Sequence, residues 1–453
     1  MASGGSAQEA RDRKSPQIRR TSSWTALHAR QRNVAVKCYK IAVVSHAALT
    51  RKLCLGVPVV LLAGSVAAAA VAAPVGAPAV SGPRSTTSEQ PLYRFRAAHA
   101  ISFRCAFDSK RLHACRARFS QRLLPGKHTL RVRAVGRHAA LSRTVTVKVV
   151  VNLAYPRLDA TAPIQVGAGA GVPAAAGGSV WVPLTESGDL ARVDPTRGSV
   201  TAKSHVGSPS PAGGGFLDSA VATDSSVWDA SDAGGTIARL DAASGTATST
   251  IQAGTRPGGL AIGDGAVWAF GFQGSDVTRI DAATGIVQTV HVLGASAAGI
   301  AYGDGALWVL SLVPARILEV DPASGAVRAT FPLKPPLPNS SSLIDAWWLA
   351  FGDGAVWATL PNYGAVARLD TTTHTVRYAR TPYGRPFGVA VGGGSTWVAT
   401  DHGVLRLDSS TGRPTGAALL PAASRSGFAS IAFDDGSAWY TNYDRGTLTR
   451  VSG

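Results

Sequence analysis

The chain has 453 residues and a formal net charge of +18, and at roughly 100–200 residues per domain it is too long for one ordinary core. The positive charge sits in the first third: residues 1–52 carry 11 Lys/Arg against 2 Asp/Glu and residues 92–152 carry 14 against 1, whereas residues 153–453 carry 19 against 23. A basic, nucleic-acid-binding character for the whole chain is thereby excluded. With no cysteine after Cys115, so are a disulfide scaffold and a Cys/His zinc cluster in the C-terminal two-thirds.

Residues 1–52 read as a basic, disordered cytoplasmic arm with no nucleic-acid role. Residues 53–75 follow, 23 positions without a charge, enough to span a hydrocarbon core of about 30 Å. Arg51 and Lys52 flank them on one side, so the positive-inside rule puts everything beyond the span outside the cytoplasm. Ala70-Val71-Ala72 and Ala77-Pro78-Ala79 fit the small-x-small pattern of a signal-peptidase site. A single transmembrane helix and a cleaved signal both remain open. Residues 76–91 read as a linker.

Residues 92–152 alternate apolar and polar positions in segments such as 101–107 and 129–134, joined near Pro125-Gly126, as half-buried strands do. A small antiparallel sheet or sandwich is expected. The run Phe103-Arg104-Cys105-Ala106-Phe107-Asp108, then Cys115, then residues 125–134 resembles the bacterial Ig-like module. Cys105 and Cys115 stand ten apart across a turn, outside the reducing cytosol, and a disulfide between them is expected. The 14 basic side chains of this module suit contact with anionic cell-envelope polymers or lipid headgroups; a solvated sheet face is the alternative.

From about residue 160 the chain repeats itself. Trp181, Trp228, Trp268, Trp308, Trp357, Trp397 and Trp439 each follow a small or apolar residue, at spacings of 47, 40, 40, 49, 40 and 42, the length of one four-stranded propeller blade. The third unit shows the plan. Residues 259–262 form a strand, Gly263-Asp264-Gly265 a hairpin turn, 266–270 a second strand, 277–281 a third, 282–285 a turn and 287–292 a fourth. Aspartates recur at the end of the third strand (Asp194, Asp241, Asp281, Asp321, Asp370, Asp408), where turn capping explains them better than metal binding. Ile164-Gln165-Val166-Gly167 copies the fourth-strand ending Ile251-Gln252-Ala253-Gly254, so it is expected to pair with the last unit and close a ring. The repeat Trp is expected to fill the wedge between blades. The predicted fold is all-β: a seven-bladed β-propeller over residues 160–453, preceded by the Ig-like module and one N-terminal apolar helix.

In its Gly-[IVL]-Ala…Gly-Asp-Gly-x-[VL]-Trp…[IVL]-Asp-x-x-[ST]-Gly pattern, clearest in residues 259–285 and 299–325, the repeat resembles the YVTN-type and virginiamycin B lyase-like (streptogramin lyase) propeller superfamily. The resemblance implies seven blades and, for lyase members, acidic and His side chains just after the repeat aromatic that hold a divalent metal and move a proton. Three residues past each Trp this chain has Leu184, Ser231, Gly271, Ser311, Leu360, Thr400 and Asn442. None is an acid or His, and a lyase needs a general base within reach of its substrate. A non-catalytic binding module is therefore expected, with no cofactor and no metal; a metal-dependent C–O lyase is the alternative.

The loops between second and third strands and those between blades open on one face and carry the candidate ligand-binding residues Arg256, Tyr363, Tyr383, Arg385, Asp401, His402 and Tyr443. By repeat register these are expected to converge on one mouth. Thr255-Arg256-Pro257 and Gly384-Arg385-Pro386 occupy the same inter-blade position, where the Pro belongs to the repeat and the Arg is free of structural duty. An insertion at 334–348, ending in Trp347-Trp348, is expected either to overhang this face or to form a blade-edge loop packed by its own aromatics. Tyr, Trp and Arg together suit an unidentified small-molecule, glycan or protein ligand.

Overall fold

The computed structural model describes residues 74–210, 218–254, 256–272, 274–292, 294–335, 346–422 and 427–453. The basic arm and nearly all of the 53–75 segment lie outside them. No helix among the described residues is long and apolar enough to cross a membrane. Apart from two short 3₁₀ turns, Arg137–Ala139 and Pro361–Tyr363, every regular element described is a strand.

The N-terminal module is built from two sheets. One has three strands, Ala79–Ser81, Leu92–Arg96 and Arg118–Ser120; the other has five, in the order Ser85–Thr86, Val145–Val151, Gly126–Val135, Ser102–Phe107 and His113–Cys115. Strand alternation makes the core: Val147, Val149 and Val151 point inward while Thr146, Lys148 and Val150 face solvent, and the inward residues pack with Tyr93, Phe95, Phe103, Phe107, Leu130 and Val132. Segment 76–91 is not a plain linker, because Val80 pairs with Phe95 and Ser85 with Val150. Its Pro/Gly/Ser content hid two short edge strands. Cys105 and Cys115 are joined by a disulfide with 6.0 Å between Cα atoms, diagonally across the hairpin in which Cys105 pairs with His113 and Cys115 with Phe103.

Beyond residue 158 each repeat folds into a meandering antiparallel sheet, such as Pro257–Gly263, Ala266–Gly271, Asp276–Asp281 and Val287–His291 in the third. Seven such sheets follow one another among the described residues, and the first strand of each lies beside the first strand of the next. Ala174–Ala176, the innermost strand of the first sheet, adjoins both Ser219–Ala222 and Ala429–Asp434, so the arrangement is circular. Asp159–Ala160 and Ile164–Gln165 pair with Thr447–Ser452, with Ile164 opposite Leu448 and Ala160 opposite Val451. The N-terminal side of the repeat region thus supplies the outer strand of the last sheet.

Each repeat Trp packs against the following sheet. Trp228 meets Val267, Trp268 meets Leu307 and Val309, and Trp439 returns to Val180 and Val193 of the first sheet. All seven are at most 4 % exposed, and an indole burying about 150–250 Å² contributes roughly 4–6 kcal/mol at ~25 cal/mol per Å². The third-strand Arg covers the outer face of that indole: Arg192, Arg239, Arg279, Arg368, Arg406 and Arg450 lie 5.1–6.0 Å from the ring centroid of the Trp in their own sheet. In the fourth sheet Glu319 stands opposite Trp308 and Phe331 packs on the ring instead. Gly263 is required because a Cβ there would collide with Tyr302, which stacks on Trp268.

The recurrent aspartates cap their turns. Asp281 Oδ1 accepts the N–H groups of Ala283 (3.1 Å) and Thr284 (2.8 Å) and the Thr284 hydroxyl (2.8 Å). Such bonds favour the charged form and hold these carboxyls below the usual carboxylate range, to about 2 for Asp408, where the Thr411 hydroxyl is the main cause.

Candidate functional site

Two loops on one face are built alike. Arg256 donates from Nε and Nη2 to Asp232 Oδ1 and Oδ2 at 3.0 and 3.1 Å and lies over the Phe272 ring at 5.2 Å. Arg385 donates from Nε to Asp401 Oδ2 at 3.0 Å and from its backbone N–H to Oδ1 at 2.8 Å, and lies over Phe387 at 5.2 Å. The aspartates are only 4 % and 7 % exposed. These arginines are therefore not free of structural duty, because each neutralises a buried carboxylate that would otherwise carry an uncompensated charge. Arg256→Ala and Arg385→Ala are each expected to lower stability by about 1–3 kcal/mol in urea titrations, well above the ~0.5 kcal/mol typical of surface sites. A neutral melting curve for both would show the pairs to be decorative.

The 334–348 insertion ends by turning its paired tryptophans inward. The Trp347 ring lies 4.9 Å from Phe428 and 6.3 Å from Phe387, in the sheets that follow its own, while Trp348 reaches back to the third sheet, where a Cβ on Gly259 would lie 2.9 Å from it. Side chains from opposite sides of the circle thus meet across its middle. Tyr443, 6 % exposed, borders the cavity that remains there, only about 20 Å³. Among the described residues, the expected central mouth is occupied by the protein's own aromatics.

The candidate residues accordingly fall into three places rather than one. Tyr443 belongs to the axial aromatic cluster, and Arg256 to the seam between the second and third sheets. Tyr363, Tyr383, Arg385, Asp401 and His402 gather where the N-terminal module meets the fifth and sixth sheets. Tyr383 is buried in that contact, where its hydroxyl accepts the Ala154 N–H at 2.8 Å and its ring meets Tyr155 edge-on at 6.2 Å. Burial raises the Tyr383 pKa. Arg122 of the module donates to the Thr381 carbonyl at 3.3 Å and to Glu89 at 2.9 Å. The connecting segment extends the edge of the sixth sheet, since Leu158 donates to the Ala417 carbonyl and Ala417 to that of Pro156, both at 2.9 Å.

Two cavities flank Arg122. The smaller, about 230 Å³, is bordered by Leu124, Arg385, Asp401 and His402. His402 Nδ1 lies 2.8 Å from Asp401 Oδ1. Burial pushes the Asp401 carboxyl up, but hydrogen bonds from His402 and from the Arg385 amide and guanidinium outweigh it and hold it below the usual range. The larger cavity, about 640 Å³, takes in Tyr363 together with Tyr378, Arg377, Arg380 and Arg413. These last four carry no repeat signal, because an outer strand, where Arg377, Tyr378 and Arg380 lie, and a turn, where Arg413 lies, both read as solvated. The dense Arg377-Tyr378-Ala379-Arg380 in place of the third repeat's Gln288-Thr289-Val290-His291 was the available signal. Among the described residues no group of three or more His, Cys, Asp or Glu is placed to hold a metal ion.

Neither a protein-family model nor a curated protein matches the chain. Among solved structures it is similar to hydrazine synthase of Kuenenia stuttgartiensis, with TM-score 0.51 and 14 % identity over 63 % of this chain and 96 % of that one. It is similar also to the Cps50 (Swd1) β-propeller domain of Myceliophteria thermophila, with TM-score 0.52 and 11 % identity over 65 % and 99 %. At such identities the likeness shows the fold alone, and the fold is a β-propeller, an architecture suited to binding and interaction modules in general.

Proposed function

We propose that this chain is an extracytoplasmic, non-catalytic binding module: a seven-bladed propeller of the YVTN and virginiamycin B lyase-like type, carrying an Ig-like module and holding its ligand beside that module. The observation that carries the reading is the pair of cavities around Arg122, the larger about 640 Å³ and open to solvent. Seven successive sheets support the blade count, and the two-sheet sandwich supports the Ig-like assignment. The charge-free segment with its basic flank and the Cys105–Cys115 disulfide suit an oxidising compartment. Non-catalytic binding is favoured because the acids that line the two cavities are already engaged, Asp401 by Arg385 and His402 and Glu89 by Arg122. In this reading Tyr363, Arg385, Asp401 and His402 border the bound ligand, Tyr383 fixes the module, and Arg256 and Tyr443 serve their own seams.

Soluble cell-envelope fragments passed over the immobilised full chain should be retained and eluted with unchanged mass, and Tyr363→Ala should reduce retention. Elution of metal-dependent elimination products would make the protein a lyase. An absence of retention would overturn the binding reading.

A further inference from the structure

The larger cavity has a shape and a charge of its own. It follows the outer edge of Val376–Arg380, the outer strand of the fifth sheet, whose side chains alternate, Arg377 and Ala379 toward the sixth sheet and Tyr378 and Arg380 toward the fourth, so that the cavity takes in both sides of that edge; five residues at about 3.3 Å each give a run of roughly 16 Å. Tyr363 and Thr381 stand at the loop-bearing end, whereas Arg413 lies in the turn joining the last two strands of the sixth sheet, at the opposite end. It is thus a groove down the flank of the propeller, capped at one end by Arg122 of the module. Of its arginines, Arg122 is paired with Glu89 and Arg368 with Asp370. Arg377, Arg380 and Arg413 are exposed and form no ion pair among the described residues.

We infer that this groove binds an extended acidic glycan, a chain of carboxylated sugar units, with Arg377, Arg380 and Arg413 meeting successive carboxylates. The inference rests on the binding-module reading and names its ligand class. Guanidinium groups match carboxylates in a planar, two-point geometry, and three of them along one open groove recognise spaced charge better than a single compact anion. Tyr363 and Tyr378 border the groove while their rings pack against the hydrophobic cluster shared with the fourth sheet, and the Tyr378 hydroxyl accepts the Lys334 N–H at 2.7 Å. A groove open along its length admits a polymer without threading an end, whereas compact ligands favour enclosed sites. Exposed pairs are weak one at a time and screened by salt, so affinity grows with chain length and falls with ionic strength.

The full chain titrated calorimetrically with a galacturonate octamer should bind, while an uncharged glucan octamer should not. Arg377→Ala/Arg380→Ala/Arg413→Ala should weaken the octamer at least tenfold. Arg94→Ala/Arg104→Ala/Arg118→Ala, which removes equal charge from exposed positions on the module, should change it less than threefold. Equal weakening by both triple variants would reduce the effect to net charge and overturn the site. Equal binding of the uncharged octamer, or of a polyphosphate of the same charge, would overturn the acidic-glycan assignment. Retention of envelope fragments with no response to galacturonate would sink this inference and leave the binding module standing.

Discussion

Replacing residues 159–167 by a Gly/Ser segment of equal length is expected to abolish cooperative unfolding of the whole propeller, although the change touches one outer strand. Those residues supply the two short strands that pair with the outer side of Thr447–Ser452. They also place Val166, 1 % exposed, between the last sheet and the first, in one cluster with Trp439, Leu448, Val180 and Val193. Thr161 donates to the Arg450 carbonyl at 3.0 Å and Val166 to that of Gly446 at 2.9 Å, in addition to the paired ladder. Losing these bonds at about 1 kcal/mol each, the Val166 packing and the integrity of the seam costs on the order of 5–10 kcal/mol, which rivals the ~5–15 kcal/mol of a whole domain. Tryptophan fluorescence in urea reads this directly, since all seven repeat indoles lie in inter-sheet wedges. Removal of residues 1–50 should leave the transition in place. A Gly/Ser variant that melts like the intact chain would show the closing strand to be dispensable.

The second large effect is expected from a buried acid. Where other sheets place Val182, Ala269, Val309, Ala358, Val398 or Tyr440 directly after the repeat Trp, the second sheet has Asp229, 5 % exposed, whose Oδ1 makes no hydrogen bond among the described residues. Burial, and then the nearby Asp218, push its carboxyl well above the usual range. Asp218 is itself raised to about 6, first by burial, against a hydrogen bond from the Asp232 amide. A shift of about two units at so buried a site is worth roughly 3 kcal/mol.

The sign is opposite to that of the turn aspartates. Raised carboxyls stabilise the fold fully below their unfolded pKa near 3.8, and that contribution is lost as pH climbs through about 6 and beyond. The lowered turn carboxyls contribute above 3.8 and lose their contribution as pH falls. Asp229→Asn needs no proton to stay neutral, so its stability relative to the parent should improve on going from pH 5 to pH 8. Denaturant titrations at both values check this. An unchanged difference would mean that Asp229 ionises freely in the folded protein.

What could be read from residue order was whatever the repeat states seven times. The Trp wedges, the turn aspartates and the closing segment were legible because each has copies to be compared with. Cys105 and Cys115 were legible because a short hairpin leaves two nearby thiols little choice. The ion pairs were not: Asp232 precedes Arg256 by 24 positions and Asp401 follows Arg385 by 16, and neither aspartate belongs to the repeat. Nor does any pattern announce that Trp347 and Trp348 turn inward rather than over the rim. Least legible was the docking of the module, which brings Arg122 to Thr381 across 259 positions. That contact closes one end of the groove, and without it the groove's arginines looked like ordinary surface charge.

The closing strand has a mechanical consequence. Because it is reached from the module through a segment hydrogen-bonded to the sixth sheet at Ala417, a pull on the N-terminal side meets those bonds before it meets the seam at Thr447–Ser452. Within the seam the strands run antiparallel, and tension along their length loads the cross-links together in shear instead of peeling them singly. A propeller sealed in this way resists a pull applied at its N-terminal side, with the bonds at Ala417 loaded before those of the seam.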